Sequence, residues 1–306
     1  MADAQLDAEW KPELPFDIFQ HIVDHLVYPR PDIPSLLALS ETCRELFEMA
    51  YRRLYESLDL HISTRNDWRW LFEYSSYFSV DPGQLAERLD ERPEIADYVR
   101  RLSYHIHETE YDVGYSKSYI QQLRSIEELQ IRFHHRSWSI PHLNEITGSM
   151  MFNQAENWNH ESRQAVDLLY ELASSPKLHT MTLAGAMHVP LDFLTKGINR
   201  NVVHLRLFEA TFSPNVLDLE ADDGDSRKPF QPRSIYVYSS DLTPLLLQPT
   251  LFDLSNIRDL RWVVHPNNDD KQLSNILRHT PNLENLLIAM CRLLLCPLST
   301  AEVSLL

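Results

Sequence analysis

The chain is poor in glycine and cysteine, and each shortage excludes a class of site. Six glycines occur in 306 residues. None belongs to a Gly-x-Gly-x-x-Gly, Gly-x-x-x-x-Gly-Lys or Gly-x-Ser-x-Gly pattern, so the loops that cradle phosphates or carry a nucleophilic serine are missing. The three cysteines, Cys43, Cys291 and Cys296, make no disulfide framework, and no histidine near them has zinc-ligand spacing. A nucleotide-dependent enzyme is therefore not expected.

Signals for export, for membranes and for nucleic acids are also lacking. Residues 1–10 are acidic and polar without the apolar core of a signal peptide, so cytosol or nucleus is the predicted compartment. The apolar run from Leu286 to Leu298 is shorter than the about 20 residues of a membrane-spanning helix. A net charge of -16 would repel a phosphate backbone, which argues against a nucleic-acid partner. The 43% of hydrophobic residues suffices for one or two domains.

Residues 13–60 predict a small helical unit that binds a partner. After Leu14-Pro15, apolar residues four apart share one helix face, namely Ile18, Ile22 and Leu26. A second helix is predicted in residues 35–44, and a third has apolar residues at three- and four-residue steps through residues 46–58. Three short helices bury little core, and a unit this small is marginal alone. Docking on another protein is therefore its expected role.

The same residues resemble the F-box. The family has Leu-Pro, apolar residues every four, a Leu-x-x-Leu-x-x-(Val/Thr)-Cys-(Arg/Lys) junction and a closing leucine-rich helix. This sequence has Leu14-Pro15, the apolar ladder, residues 36–44 and residues 54–60 at those places, with a longer, proline-rich loop at 28–34. The resemblance, which extends to the large fungal groups of such proteins, implies docking on the Skp-type adaptor of a cullin ubiquitin ligase. It assigns the adaptor interface to Leu14, Pro15, Ile18, Leu36, Leu39 and Thr42.

A template of apolar-x-x-Leu-x-apolar recurs through the rest of the chain. Its copies begin at residues 99, 126, 178, 202, 232, 257 and 283, so the intervals are 24 to 30 residues except for one of 52. That period is typical of leucine-rich repeats. The predicted fold is α/β, with a three-helix F-box followed by an irregular leucine-rich-repeat-like solenoid. The predicted boundaries are a tail at 1–12, the F-box at 13–60, a helical linker or cap at 61–98 and the repeat domain at 99–306.

Positions that alternate with the template residues should point away from the core and form a concave face. Arginine, histidine and aromatic residues are frequent there, and they are the predicted substrate-binding residues: Arg101, His105, Arg132, His204, Arg206, Phe208, Tyr236, Tyr238 and Arg261. Arginine beside aromatic residues is typical of recognition surfaces, and its fork suits carboxylates and phosphates. The hypothesis is that this face binds an acidic or phosphorylated peptide of a substrate protein. An ordinary solvated face is the alternative.

Two histidine pairs are the candidates for a metal site. His21 and His25 lie four apart, but Ile22 stands where the His-Glu-x-x-His motif needs glutamate. His105 and His107 share one side of a strand, and no third ligand is identified. The resemblance to the F-box thus implies a substrate receptor of a Skp–cullin–F-box ubiquitin ligase, and the predicted receptor is non-catalytic and cofactor-free. The alternatives are an F-box scaffold outside ubiquitin transfer and a metal-dependent enzyme that uses one of these pairs.

Overall fold

The computed structural model describes residues 16–27, 32–60, 78–107, 119–134, 163–186, 189–191, 193–213, 229–264, 270–290 and 300–304. The helices in these ranges are α1 Phe16–Val27, α2 Ile33–Ser40, α3 Arg44–Tyr55, α4 Pro82–Glu91, α5 Ile95–Tyr98, α6 Arg163–Ala173, α7 Thr243–Leu246 and α8 Asp270–His279, with a π-helical turn at Phe193–Gly197. The strands are β1 Ser57–Leu60, β2 Phe78–Val80, β3 Arg101–His107, β4 Glu128–His134, β5 Thr180–Ala184, β6 Val189–Pro190, β7 His204–Phe208, β8 Phe212–Ser213, β9 Ser234–Tyr238, β10 Asp259–Val264, β11 Asn285–Met290 and β12 Thr300–Ser304. No helix in the ranges described has the length and apolar character to cross a membrane.

The first three helices form a small unit at the N-terminus. Helix α2 begins where the Asp32 side chain accepts a hydrogen bond from the Ser35 amide, with proline in the first turn. Helix α1 is tied to α3 by an ion pair of 2.6 Å between Asp24 and Arg53. Leu36 is fully buried in the core of this unit. The periodicity of residues 13–60 thus predicts helices at the right places, although the third ends at Tyr55, before the predicted boundary.

Most of the described strands belong to one large sheet. Its order is β12-β11-β10-β9-β7-β5-β4-β3-β1-β2, and all its strands are parallel except β12, which pairs antiparallel to β11. The central apolar residues of the template align in register across it, and Leu58 on β1 continues their row. These buried or partly buried residues are Leu58, Leu102, Leu129, Met181, Leu205, Ile235, Leu260 and Leu286. The apolar core lies on this side of the sheet.

The prediction of a leucine-rich-repeat solenoid is wrong. Strand β1 lies between β2 and β3, so the sheet does not grow in chain order as stacked repeats would, and its other end is closed by the antiparallel β12. The connections also differ, since α4 and α5 precede β3 whereas a π-helical turn lies between β5 and β7. The structure is instead α/β-like, with a large parallel sheet and helices at the N-terminus. The template located strands because paired apolar residues are typical of any buried parallel strand.

The helical unit and the sheet share one core. Only Glu56 separates α3 from β1, and the Glu56 carbonyl accepts hydrogen bonds from the amides of Arg100 and Arg101. Leu54 and Leu58 lie on either side of this joint and belong to the same buried cluster. The predicted F-box range of residues 13–60 therefore ends inside the sheet.

Two arginines of α4 and the following turn fasten α3 to the neighbouring structure. Arg88 donates a hydrogen bond to the Tyr55 hydroxyl. Arg92 lies 4.4 Å from the centre of the Phe47 ring and forms an ion pair of 3.1 Å with Glu48. These contacts connect one side of α3 to α4 and the turn that follows it.

Candidate functional site

The N-terminal unit exposes large apolar side chains. Ile18 and Ile22, one turn apart on α1, are each 42% exposed, and Leu37 on α2 is 40% exposed. We call these three residues the N-terminal apolar residues. Among the described residues only two other large apolar side chains are exposed, Leu247 at 71% and Leu277 at 37%. Exposed apolar side chains grouped in one small unit are typical of a surface that another protein covers.

The residues predicted for the adaptor interface occupy different environments. Leu14 and Pro15 lie outside the described residues. Ile18 and Thr42 are exposed, Leu39 is partly buried, and the Thr42 hydroxyl donates to the Leu39 carbonyl at 2.7 Å. Leu36 has no exposed surface, so it supports the unit from inside. Leu37 was missed by the sequence reasoning; helix α2 is apolar on all sides, and that pattern could have indicated a second, partner-facing side.

The predicted concave-face residues do share one side of the sheet. Pairing aligns Thr182, Arg206, Tyr236 and Arg261 in one row across β5, β7, β9 and β10. Phe208 and Tyr238 are paired in the next row toward the carboxyl ends of the strands, and His204 lies in the row on the other side. The alternation of the template therefore predicts which residues face the same way.

Burial divides this face into two parts. On β3 to β5, Ser103 is fully buried and Arg132 is 7% exposed, whereas Arg206 and Arg261 on β7 and β10 are exposed. Arg101 lies 3.8 Å from Glu56 in an ion pair. The second part presents exposed arginine side chains to solvent. We call it the open strand face, and it consists of His204, Arg206, Phe208, Tyr236, Tyr238 and Arg261.

A polar cluster lies in the buried part, where β1, β3 and β4 adjoin. His105 Nε2 is 2.8 Å from Asp59 Oδ1 and 3.4 Å from the Ser103 hydroxyl. Burial by itself would raise the pKa of Asp59, but the hydrogen bond and charge of His105, with help from Ser103 and Arg132, hold it at about 2. Serine and aspartate contact the same ring nitrogen, whereas a hydrolytic triad uses opposite nitrogens. The cluster therefore has a structural, charge-pairing geometry.

Of the two candidate histidine pairs, the structure describes the side chains of His21, His25 and His105. His21 and His25 are both exposed on α1, and His105 is engaged with Asp59. The His107 side chain lies outside the described residues. Within the ranges given above, no three histidine, cysteine, aspartate or glutamate side chains are placed to share a metal ion.

The open strand face combines positive charge with aromatic rings. The Phe208 ring centre lies 5.0 Å from that of Tyr236 and 6.2 Å from that of Tyr238. Burial raises the pKa of Tyr236, partly offset by the nearby charge of Arg261, so the phenol is a neutral donor at neutral pH. Burial also lowers the pKa of His204, together with the charges of His179 and Arg206. The positive charge of this face thus comes from its arginines.

Comparison with known proteins adds no family to these observations. Neither a protein-family model nor a curated protein matches this chain. The function is therefore argued from the two surfaces, the N-terminal apolar residues and the open strand face.

Proposed function

We propose that this chain is the substrate-receptor subunit of a Skp–cullin–F-box ubiquitin ligase. Helices α1 to α3 dock on the Skp-type adaptor, which connects them to a cullin, and the open strand face recruits the substrate protein. The chain acts in the cytosol or nucleus and is not itself a catalyst. It binds no metal or other cofactor in this role.

The observation that carries the proposal is the exposure of the N-terminal apolar residues. Ile18 and Ile22 are each 42% exposed although they belong to the apolar ladder of α1, which a self-sufficient domain would bury. Val23 on the same helix is fully buried, so α1 packs against its own unit with a different side. The apolar side left over has the chemistry of a helix surface that a partner covers. The resemblance of residues 13–60 to the F-box implies a Skp-type adaptor as that partner.

The joint between α3 and β1 supports the second half of the proposal. A receptor accelerates ubiquitin transfer by holding a substrate lysine near the charged enzyme, which raises the effective concentration of the reacting groups. A short connection between the docking unit and the substrate surface keeps this concentration high. Glu56 alone separates α3 from β1, and the Leu54 and Leu58 side chains on either side are buried. The open strand face is therefore held at a set distance from α1.

Co-purification with the adaptor tests the proposal. The full chain is co-expressed with a Skp-type adaptor as wild type and as the Ile18→Glu/Ile22→Glu variant. A carboxylate in a buried apolar interface is costly, so we expect the variant to lose the adaptor while the wild type retains it. Both positions are exposed in the free chain, so the substitutions should leave folding within about 0.5 kcal/mol of the wild type. Circular dichroism checks that they do.

The matched control is Leu247→Glu/Leu277→Glu. It makes the same chemical change at the two other exposed large apolar residues among those described, far along the chain from α1. This variant should co-purify with the adaptor as the wild type does. A folded wild-type chain that fails to hold the adaptor would exclude the ligase role, and equal losses in both variants would show that the contact is unspecific. Retention of a cullin in the wild-type complex distinguishes the receptor from a scaffold outside ubiquitin transfer.

A further inference from the structure

One row of the open strand face has a composition that its neighbours lack. Arg206 on β7, Tyr236 on β9 and Arg261 on β10 are direct neighbours in register, so two arginines flank one tyrosine. Neighbouring strands are about 4.8 Å apart, which places the two arginine Cα atoms about 10 Å from each other with the tyrosine between them. Long side chains at this separation can contact a single group held over the tyrosine.

The described arginines either form ion pairs and hydrogen bonds or stay unpaired at the surface, and Arg206 and Arg261 belong to the second group. Arg53 bonds Asp24 and Glu56, and Arg258 lies 2.9 Å from Glu284. In the part of the chain that the structure describes, the side chains of Arg206 and Arg261 form no ion pair or hydrogen bond. Both are exposed in a protein with 44 acidic and 28 basic residues. Cations that remain available despite this excess of carboxylates are suited to an external anion.

The surroundings of the row supply a further donor, aromatic rings and one carboxylate. Asp259 on β10, in the adjoining row, accepts a hydrogen bond of 2.6 Å from Asn285 on β11, and its charge acts on His204. The Tyr236 hydroxyl is a neutral donor between the two cations. Phe208 and Tyr238 provide aromatic surface in the adjoining row. Donors and positive charge therefore meet at Tyr236, beside two further aromatic rings.

We infer that Arg206, Tyr236 and Arg261 bind the phosphate of a phosphorylated side chain on a partner protein. A phosphate monoester has a charge of about -1.5 to -2 and three acceptor oxygens, which match two guanidinium groups and one hydroxyl. A carboxylate has a single charge and is satisfied by one guanidinium fork. The site thus prefers phosphate over glutamate. That the phosphorylated partner is a ligase substrate rests on the proposed function, whereas the binding itself does not.

Fluorescence anisotropy with labelled peptide pools tests the inference on the full chain. The pools are degenerate except for a central phosphoserine, phosphotyrosine, glutamate or serine. We expect both phosphorylated pools to bind roughly tenfold or more tightly than the serine pool, and Arg206→Gln/Arg261→Gln to remove that preference. Tyr236→Phe should weaken binding several-fold by removing one donor. The tighter phosphorylated pool identifies the side chain, since phosphotyrosine alone can also stack on Phe208 and Tyr238.

A charge-matched control separates the site from general electrostatics. Arg258→Gln/Arg278→Gln removes two exposed arginines outside the row and changes the net charge equally. It should leave the preference for phosphorylated peptides intact. Equal loss in the control, or equal binding of the glutamate and phosphoserine pools, would overturn the inference.

Adaptor co-purification in the same variants keeps the two proposals apart. Arg206→Gln/Arg261→Gln should still hold the adaptor. Phosphopeptide binding by a wild-type chain that does not bind the adaptor would remove the ligase proposal and leave the phosphate site standing. Adaptor binding without any preference for phosphorylated peptides would remove the phosphate site and leave the ligase proposal standing.

Discussion

Replacing Asp59 with asparagine should lower stability at neutral pH and flatten the response of the protein to acid. The Asp59 side chain is 13% exposed and contacts the His105 ring at 2.8 Å. Burial opposes its ionisation, but the hydrogen bond and charge of His105, together with Ser103 and Arg132, outweigh burial and hold the pKa at about 2. Asparagine preserves the shape of the side chain and removes the charge that this cluster stabilises.

The magnitude follows from the difference between the folded and unfolded states. The ordinary pKa of the carboxyl group is 3.8, and the folded value is about 2. Because folding lowers the pKa of Asp59, its stabilising contribution is fully present above about pH 4 and is lost as the pH falls toward 2. At 1.36 kcal/mol for each pH unit, the contribution is about 2 kcal/mol.

Urea unfolding followed by tryptophan fluorescence measures this effect between pH 3 and pH 7. The wild type should lose part of its free energy of unfolding between pH 4 and pH 3 through Asp59, and Asp59→Asn should show a shallower decline. At pH 7 the variant should be less stable by about 2 kcal/mol. Asp90→Asn, at an exposed position of α4, is the control and should follow the wild type. An Asp59→Asn curve that parallels the wild type at all pH values would refute the reasoning.

Two further stability predictions concern the core and a turn. Leu58→Ala should lower the free energy of unfolding by about 2–5 kcal/mol, because Leu58 on β1 is fully buried. Urea titration of this variant should still show one transition, and two separate transitions would contradict a core shared by the helices and the sheet. Gly185→Ala should cost about 1–2 kcal/mol or more, since Gly185 has φ +67° and an added Cβ would lie 2.7 Å from the Phe133 carbonyl oxygen. Thermal unfolding measures the second effect against Gly83→Ala, which lacks the positive φ, and equal melting temperatures for the two variants would argue against the left-handed turn.

Strand positions were predictable in this chain because each strand repeats the same apolar spacing. Leu205 and Leu207 alternate with Arg206, and both leucines are fully buried while the arginine is exposed. On the neighbouring strand β9, Ile235 and Val237 pair with these two leucines. A period of two therefore predicted which side chains share a face, including the arginines of the open strand face.

The arrangement of the strands was not predictable from that spacing. Leu54 and Leu58 lie four residues apart, which suits a continuing helix, yet the chain becomes extended at Ser57. Strand β2 is only three residues long and has too few side chains for a period to be seen. Spacing also says nothing about what covers a face, so the burial of Arg132 could not be distinguished from the exposure of Arg206. Long-range packing determines each of these features.

The direct passage from α3 into β1 also sets an order of events during protein synthesis. Strand β1 pairs with β3, whose residues Arg101 to Tyr104 follow Ser57 to Leu60 by 44 positions along the chain. At the about 5–20 residues per second of translation, that delay is roughly 2 to 9 seconds. For this interval the nascent chain has made Leu58 and Leu60 but not the neighbouring strand on which they depend. The N-terminal helices therefore leave the ribosome seconds before the strand that completes their core is made.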